Sequence, residues 1–128
     1  NMDYTITPSA DGLFIILKIK GNMTRRSVLR VNLETHALGR RLNIRRYLMD
    51  VIEARNTDPL TESYEFAYGD MQKAPGIDRN ARVAILTHPD DDSHDFVETV
   101  CRNAGLDVGK FTDRNRARRF LMRESSRS

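Results

Sequence analysis

The densest group of side chains that could bind a metal ion lies between His88 and Asp95. Two histidines and four aspartates occur within these eight residues, and imidazole and carboxylate groups are ligands of divalent metals. Their spacing matches no established metal-binding pattern, and acidic residues before a helix are explained by the positive end of the helix dipole. The sequence therefore predicts neither a metal site nor a cofactor.

Catalytic chemistry has little support in the sequence. It contains no Gly-x-Gly-x-x-Gly motif, no Walker loop, no nucleophile elbow and no His-Glu-x-x-His motif. The single cysteine, Cys101, falls on the apolar stripe of a predicted helix, where a thiol packs as a small hydrophobic group. A lone cysteine forms no internal disulfide, which favours the cytoplasm. We therefore predict a cytoplasmic protein that is not an enzyme.

Charge and hydropathy narrow the range of partners. Seventeen of the 21 basic residues are arginine, a residue type that suits phosphate recognition. The basic residues are spread over the chain instead of clustering as a nucleic-acid footprint would. The longest apolar run, Leu13 to Leu17, is too short to span a bilayer. We expect neither nucleic-acid binding nor membrane insertion.

Alternating and helical patterns predict nine elements in the order β-β-α-β-α-β-α-β-α. Strands are predicted at 3–7, 13–20, 45–52, 82–87 and 108–112, and helices near 24–41, 59–74, 92–104 and 114–123. Helical crossovers between strands indicate an α/β fold with an open, mixed, mostly parallel five-stranded sheet and helices packed on it. The first strand should be an antiparallel edge. We expect one domain over residues 1–128, with Asn1 added for expression and a frayed tail at 124–128.

The first predicted helix carries two apolar stripes. One contains Val28, Val31, Leu38 and Leu42, and the other contains Leu29, Leu33 and Ala37. Only one stripe can face the sheet, and the sequence does not show which. The second stripe predicts at least weak self-association, because exposed apolar patches usually mark contacts.

Strands two to five should point in the same direction, so their carboxyl ends share one edge of the sheet. Ligands of open α/β sheets bind at that edge. Seven polar residues are predicted to gather there: Asn22, Glu53, Arg55, Asn56, Thr87, His88 and Asp113. Arg55 and Asn56 are the strongest candidates, because Asp58 is predicted to cap the following helix. The alternative is that these residues only cap helices and solvate turns.

The order of elements and three segments resemble the STAS-like family, in particular small bacterial proteins similar to the sporulation anti-sigma-factor antagonist. The segments are Leu-Met-Asp-Val-Ile at 48–52, Arg-Val-Ala-Ile-Leu at 82–86, and Val-Gly-Lys-Phe-Thr-Asp at 108–113 leading into Arg116-Ala117 and Phe120-Leu121. The resemblance covers residues 3–122. It implies a STAS-like fold and a bacterial regulatory protein that acts by non-covalent partner switching, with an anti-sigma factor or a kinase as its partner.

Many members of that family carry a phosphorylatable serine within Asp-Ser-Ser/Thr-Gly after the third strand. The corresponding stretch here, Thr57 to Ser63, has Pro59 after the aspartate and no glycine. Thr57, Thr61 and Ser63 are candidate phosphate acceptors, with helix capping as the simpler interpretation. A second functional hypothesis is a binder of a small anionic or lipid-like ligand at the carboxyl ends of the strands. An enzyme of unrecognised type is the weakest.

Overall fold

A five-stranded sheet forms the centre of the computed structural model, which describes residues 2–58 and 65–124 apart from the side chain of Phe96. The strands are β1 (Met2–Pro8), β2 (Ile15–Met23), β3 (Arg46–Asn56), β4 (Arg82–Leu86) and β5 (Asp107–Phe111). The helices are α1 (Arg25–Leu42), the π-helical α2 (Phe66–Met71), α3 (Asp95–Asn103) and α4 (Arg114–Met122). The strands lie in chain order, β1 antiparallel to β2 and the other pairs parallel. The predicted fold class and the antiparallel edge are confirmed.

The helices divide unequally between the two faces of the sheet. The three helices that connect parallel strands share one face, because each crossover moves one strand further in the same direction. Successive right-handed crossovers of this kind place their helices on one face. On this three-helix face, side chains from α1, α2 and α3 pack on the sheet in the larger core cluster, which includes Ile19, Val31, Val51, Ala67 and Cys101.

The opposite face, here called the α4 face, is covered by a single helix. Ala117 and Leu121 of α4 pack on Leu48, Ala84 and Leu86 in a second core cluster. The helix contacts β3, β4 and β5. Beside it, Lys18 and Lys20 of β2 form surface ion pairs with Glu53 at 3.4 and 3.9 Å. This face is therefore half apolar core and half polar surface.

Helix α1 begins after Thr24, which caps it through a reciprocal capping box with Ser27. Val28, Val31 and Thr35 are buried against the sheet, which answers the question of which stripe faces it. Leu42, placed by its spacing in the same stripe, is 44% exposed, because it lies in the last turn. Leu29, Leu33 and Ala37 are half-buried. Self-association through this stripe stays a prediction.

Several predicted bounds are wrong. Strand β2 spans Ile15–Met23 instead of 13–20, so it continues three residues further. Strand β3 continues to Asn56 instead of ending at 52, because Ala54, Arg55 and Asn56 pair in register with Gly21, Asn22 and Met23. Helix α3 begins at Asp95 instead of 92, after a turn in which Ser93 N–H donates to the Asp91 carboxylate. The described part of the second predicted helix is the π-helical α2. Its predicted start at 59–64, together with Asn1 and residues 125–128, lies outside the described residues.

Candidate binding groove at the carboxyl ends of the strands

A β-bulge in β3 determines which side chains reach the edge of the sheet. Lys18 pairs with Asp50 but Lys20 pairs with Glu53, so Val51 and Ile52 together oppose Ile19. The Ile52 N–H, displaced at the bulge, donates to the Asp50 carboxylate at 3.2 Å. An extra residue exchanges the two sides of a strand beyond it.

Beyond the bulge, Glu53 and Arg55 therefore project on the α4 side, while Ala54 and Asn56 project towards the three helices. Ala54 belongs to the three-helix core cluster, and Asn56 lines the interior behind it. The bulge thus separates two neighbouring residues, Arg55 and Asn56, that the sequence analysis treated as one unit.

An open groove of about 400 Å³ lies at the carboxyl ends of β2, β3 and β4. It brings together four of the seven predicted residues. They are Asn22, Glu53, Arg55 and His88, and the groove is completed by Gly21, Ile52, Ala54, Asp90 and Asp91. We call this surface the carboxyl-end groove. Its walls are strand ends held by the sheet and the short turn after β4.

Arg55 is the most prominent side chain of the carboxyl-end groove. It is 63% exposed and lies 3.4 Å from Asp91 and 4.0 Å from Asp92. Burial alone would raise the pKa of Asp91, but hydrogen bonds from Ser93 and the charges of His94 and Arg55 lower it below its ordinary value. Asp91 is thus anionic at neutral pH, and Arg55 forms an exposed ion pair that a charged partner can exchange.

Three predicted residues lie outside the carboxyl-end groove. Asn56 donates its N–H to Ser93 Oγ at 3.0 Å and accepts from Asp58 N–H at 3.2 Å, so it shapes the chain instead of facing solvent. Thr87 is 1% exposed, and its hydroxyl is the one buried side-chain polar atom in the described chain without a hydrogen-bond partner. Asp113 caps α4 by accepting from Asn115 N–H at 2.9 Å. For Asn56 and Asp113 the capping interpretation is the better one.

Asp58 makes a contact that the sequence did not predict, and the start of the helix that it was predicted to cap lies outside the described residues. Its carboxylate accepts the backbone N–H of Arg25, the first residue of α1. The contact that the structure describes therefore joins the end of β3 to a different helix from the one predicted. Thr57, a candidate phosphate acceptor, donates its hydroxyl to the Met23 carbonyl at 3.0 Å. Thr61 and Ser63 lie outside the described residues.

The turn after β4 contributes further residues to this edge beyond the predicted His88. Asp90 and Asp91 line the carboxyl-end groove, and His94, 2% exposed, has Nε2 3.2 Å from the Ala54 carbonyl. The Asp-x-Ser pattern at 91–93, which is typical of a turn, was the available signal. Within residues 2–58 and 65–124, no three metal-ligating side chains are arranged to hold an ion.

A second, interior space lies between the three-helix face and the helices. This cavity of about 70 Å³ is lined largely by apolar side chains, including Met49, Val51, Ile85, Val97 and Val108. Near the carboxyl ends of β2 and β3 its lining becomes polar, with Thr24, Arg25, Asn56 and Asp58. Cys101 also lines it, and burial raises the pKa of that thiol to about 12, so it is protonated and unreactive at neutral pH.

Comparison with solved structures identifies the fold. An uncharacterised DUF3478-family protein with a SpoIIAA-like fold, from Shewanella loihica PV-4, aligns with a TM-score of 0.50 and 18% sequence identity over 94% of this chain and 93% of that chain. The STAS domain of an antisigma-factor antagonist from Rhodobacter sphaeroides aligns with a TM-score of 0.36 and 18% identity over 91% of this chain and 90% of that chain. No family model matches the sequence, and comparison with curated proteins gave no match. The first alignment shows that the chain has the SpoIIAA-like fold, as the STAS-like resemblance predicted.

The helices were predicted not to enter a membrane. Within the described residues, none combines the length and the apolar character that a bilayer-spanning helix needs.

Proposed function

We propose that this protein is a non-enzymatic regulatory module that binds a protein partner through the carboxyl-end groove. The observation that carries the proposal is the gathering of Asn22, Arg55 and His88 in one open groove on strand ends. Strand ends fixed by the sheet need no backbone ordering on binding, which favours recognition. The SpoIIAA-like fold supports a partner-switching role with an anti-sigma factor or a kinase as the partner, acting in the bacterial cytoplasm.

Partner exchange at this surface needs no covalent step. Arg55 is held by exposed ion pairs to Asp91 and Asp92, which are individually weak. A partner carboxylate can take their place while a partner amide or hydroxyl binds Asn22 or His88. Thr57 uses its hydroxyl within the fold, so the proposal includes no phosphorylation at that residue.

The test is a triple variant, Asn22→Ala with Arg55→Ala and His88→Ala. The partner is first isolated by affinity capture and identified by mass spectrometry, and its binding is then measured by calorimetry. Loss of a central arginine contact typically costs about 2 kcal/mol or more, so we expect binding to fall by at least about 30-fold. The melting temperature should change little, because all three residues are exposed.

Arg41→Ala is the matched control, since Arg41 is an exposed arginine in the last turn of α1. It should bind like the unchanged protein. Undiminished binding by the triple variant, or equal loss in the Arg41 variant, would contradict the proposal.

A second candidate function, binding of a small lipid-like ligand, is supported by the interior cavity. Its apolar walls and polar end suit an amphipathic molecule, but about 70 Å³ is below the ~150 Å³ of a cavity that accepts benzene. A ligand would therefore have to displace a helix. Native mass spectrometry of purified protein should show a bound molecule that is lost in Val28→Phe, which fills the cavity. Recovery of protein without any ligand would contradict this function.

A further inference from the structure

A second groove, of about 550 Å³, follows the outer edge of β5 between α3 and α4. Among the described strands β5 pairs with β4 alone, so its other side is a free sheet edge. The Phe111 carbonyl accepts from Thr87 N–H and so faces β4. Backbone direction alternates along a strand, and the neighbouring Lys110 N–H faces outward, where it donates to the Glu98 carboxylate at 2.7 Å. Val108 and Lys110 therefore carry the backbone groups directed to this groove.

The β5 edge groove has an excess of positive charge. Five cationic side chains are among its described lining: Arg102 of α3, Lys110 of β5, Arg116 and Arg119 of α4, and Arg123 just after α4. Its two carboxylates are already engaged, Glu98 by the Lys110 N–H and Asp107 by Arg82 at 2.9 Å. Arg102 and Arg119 are exposed and form no ion pair with any described residue. The β5 edge groove therefore combines an open strand edge with positive charge.

We propose that the β5 edge groove binds an acidic, extended segment of a partner protein as an added strand. Backbone hydrogen bonds to Val108 and Lys110 hold the segment, as in other cases of strand addition. The segment displaces the Glu98 carboxylate, which accepts from the Lys110 N–H in this structure. Side chains of the added strand alternate between α3 and α4. Those facing α4 meet Arg116, Arg119 and Arg123, so acidic residues at every second position fit best. Each exposed carboxylate–guanidinium pair contributes little by itself, but several pairs along one strand add to the backbone hydrogen bonds.

Three other roles for this surface are less well supported. Charged residues protect free edges from pairing, and Glu98 and Lys110 can do so. Protection does not require the further arginines on α4 and directly after it. A second copy of the chain would bring two positive grooves together. Single-stranded nucleic acid needs open aromatic faces for stacking, whereas Phe120 is half-buried between Arg82 and Arg123, whose guanidinium carbons lie 5.5 and 5.0 Å from its ring centre.

The test is a titration of the full chain with a short synthetic peptide of alternating glutamate and valine. Matched peptides carry lysine in place of glutamate, or a proline at the centre to prevent strand pairing. We expect the glutamate peptide to bind and to slow hydrogen exchange at the Val108 amide. The lysine and proline peptides should not bind. Arg102→Ala with Arg119→Ala should weaken binding about ten-fold, or about 1.4 kcal/mol, without a change in melting temperature.

Two further variants sharpen the test. Glu98→Gln removes a negative charge from the groove and should tighten peptide binding, and Arg41→Ala should leave it unchanged. Absence of glutamate-peptide binding, or equal binding by the Arg102/Arg119 double variant, would overturn the proposal. Tighter binding of a single-stranded oligonucleotide, or self-association that the double variant abolishes, would also overturn it. None of these residues lies in the carboxyl-end groove, so this result is independent of the proposed function.

Discussion

The imidazole of His36 stacks on the phenol ring of Tyr47, with ring centres 4.5 Å apart and planes inclined by 4°. His36 is 1% exposed, and its Nδ1 accepts the Asp78 backbone N–H at 2.9 Å. Burial lowers the pKa of His36 from 6.5 to about 4, although the Asp78 carboxylate opposes the shift. The stack thus joins α1 to β3 through a histidine that is neutral at physiological pH.

The burial of His36 predicts that the folded protein loses stability in acid. Between about pH 6.5 and pH 4 the unfolded chain binds a proton at His36 more readily than the folded chain does, so stability is full above pH 6.5 and falls as the pH is lowered. The shift in pKa corresponds to a loss of about 3 kcal/mol in the free energy of unfolding by pH 4. Urea unfolding across this range should show the free energy of unfolding falling with pH. His36→Asn, which keeps an acceptor for Asp78 N–H, should flatten this dependence. An unchanged slope in the variant would contradict the assignment.

The same stack requires a glycine at position 39. A Cβ there would lie 1.9 Å from Tyr47 Oη and 2.8 Å from the Ile44 carbonyl. Gly39→Ala should therefore lower the free energy of unfolding by about 1–3 kcal/mol. Gly69→Ala is the control, because its Cβ meets Glu65 at an ordinary 3.6 Å and alanine favours a helix. Denaturant midpoints for the two variants should move in opposite directions.

The pair of Arg114 and Asp50 should anchor α4 on the sheet. Their nitrogen and oxygen are 2.9 Å apart, and the Asp50 side chain is 6% exposed. Arg114→Ala leaves that carboxylate buried without its cation. We expect the free energy of unfolding to fall by about 2–3 kcal/mol. This is below the range for fully buried pairs because Arg114 is exposed. Arg116→Ala, whose pair with Asp113 is 4.0 Å long, should cost less than about 0.5 kcal/mol. Equal losses in the two variants would refute an anchoring role.

Cys101 should react slowly in the folded protein. Its thiol is buried, and burial raises its pKa to about 12, so almost no thiolate is present at neutral pH. A disulfide reagent that releases a coloured thiolate measures the reaction rate directly. The rate should rise sharply once denaturant unfolds the chain, and rapid modification of the folded protein would show that the thiol is accessible.

Local patterns were sufficient to predict the framework of the fold. The patterns at 82–87, 24–41 and 114–123 predicted strand β4 and helices α1 and α4 close to their observed bounds. These features depend on neighbours within a few residues. The end of β3 was missed because the polar residues 53–56 resemble a loop, and only their pairing with β2 makes them a strand.

The sequence also predicted part of the candidate site. The rule that parallel strands share a carboxyl edge placed Asn22, Glu53, Arg55 and His88 in one groove. The rule does not say which side of the sheet each residue faces. The bulge at Val51 and Ile52, which sends Arg55 to the surface and Asn56 inward, arises from pairing between distant segments and leaves no local signature.

The order of strands in the sheet also has a consequence for how the chain is built during synthesis. Each strand pairs with the one made just before it, so every newly made strand finds its partner already in place. Contacts between neighbouring segments favour rapid folding. Helix α4 is made after all five strands, and until then Leu48, Ala84 and Leu86 have no cover on the α4 face. A ribosome that pauses before residue 114 would therefore present a complete sheet with one apolar side open, which is the stage at which the nascent chain would most need a chaperone.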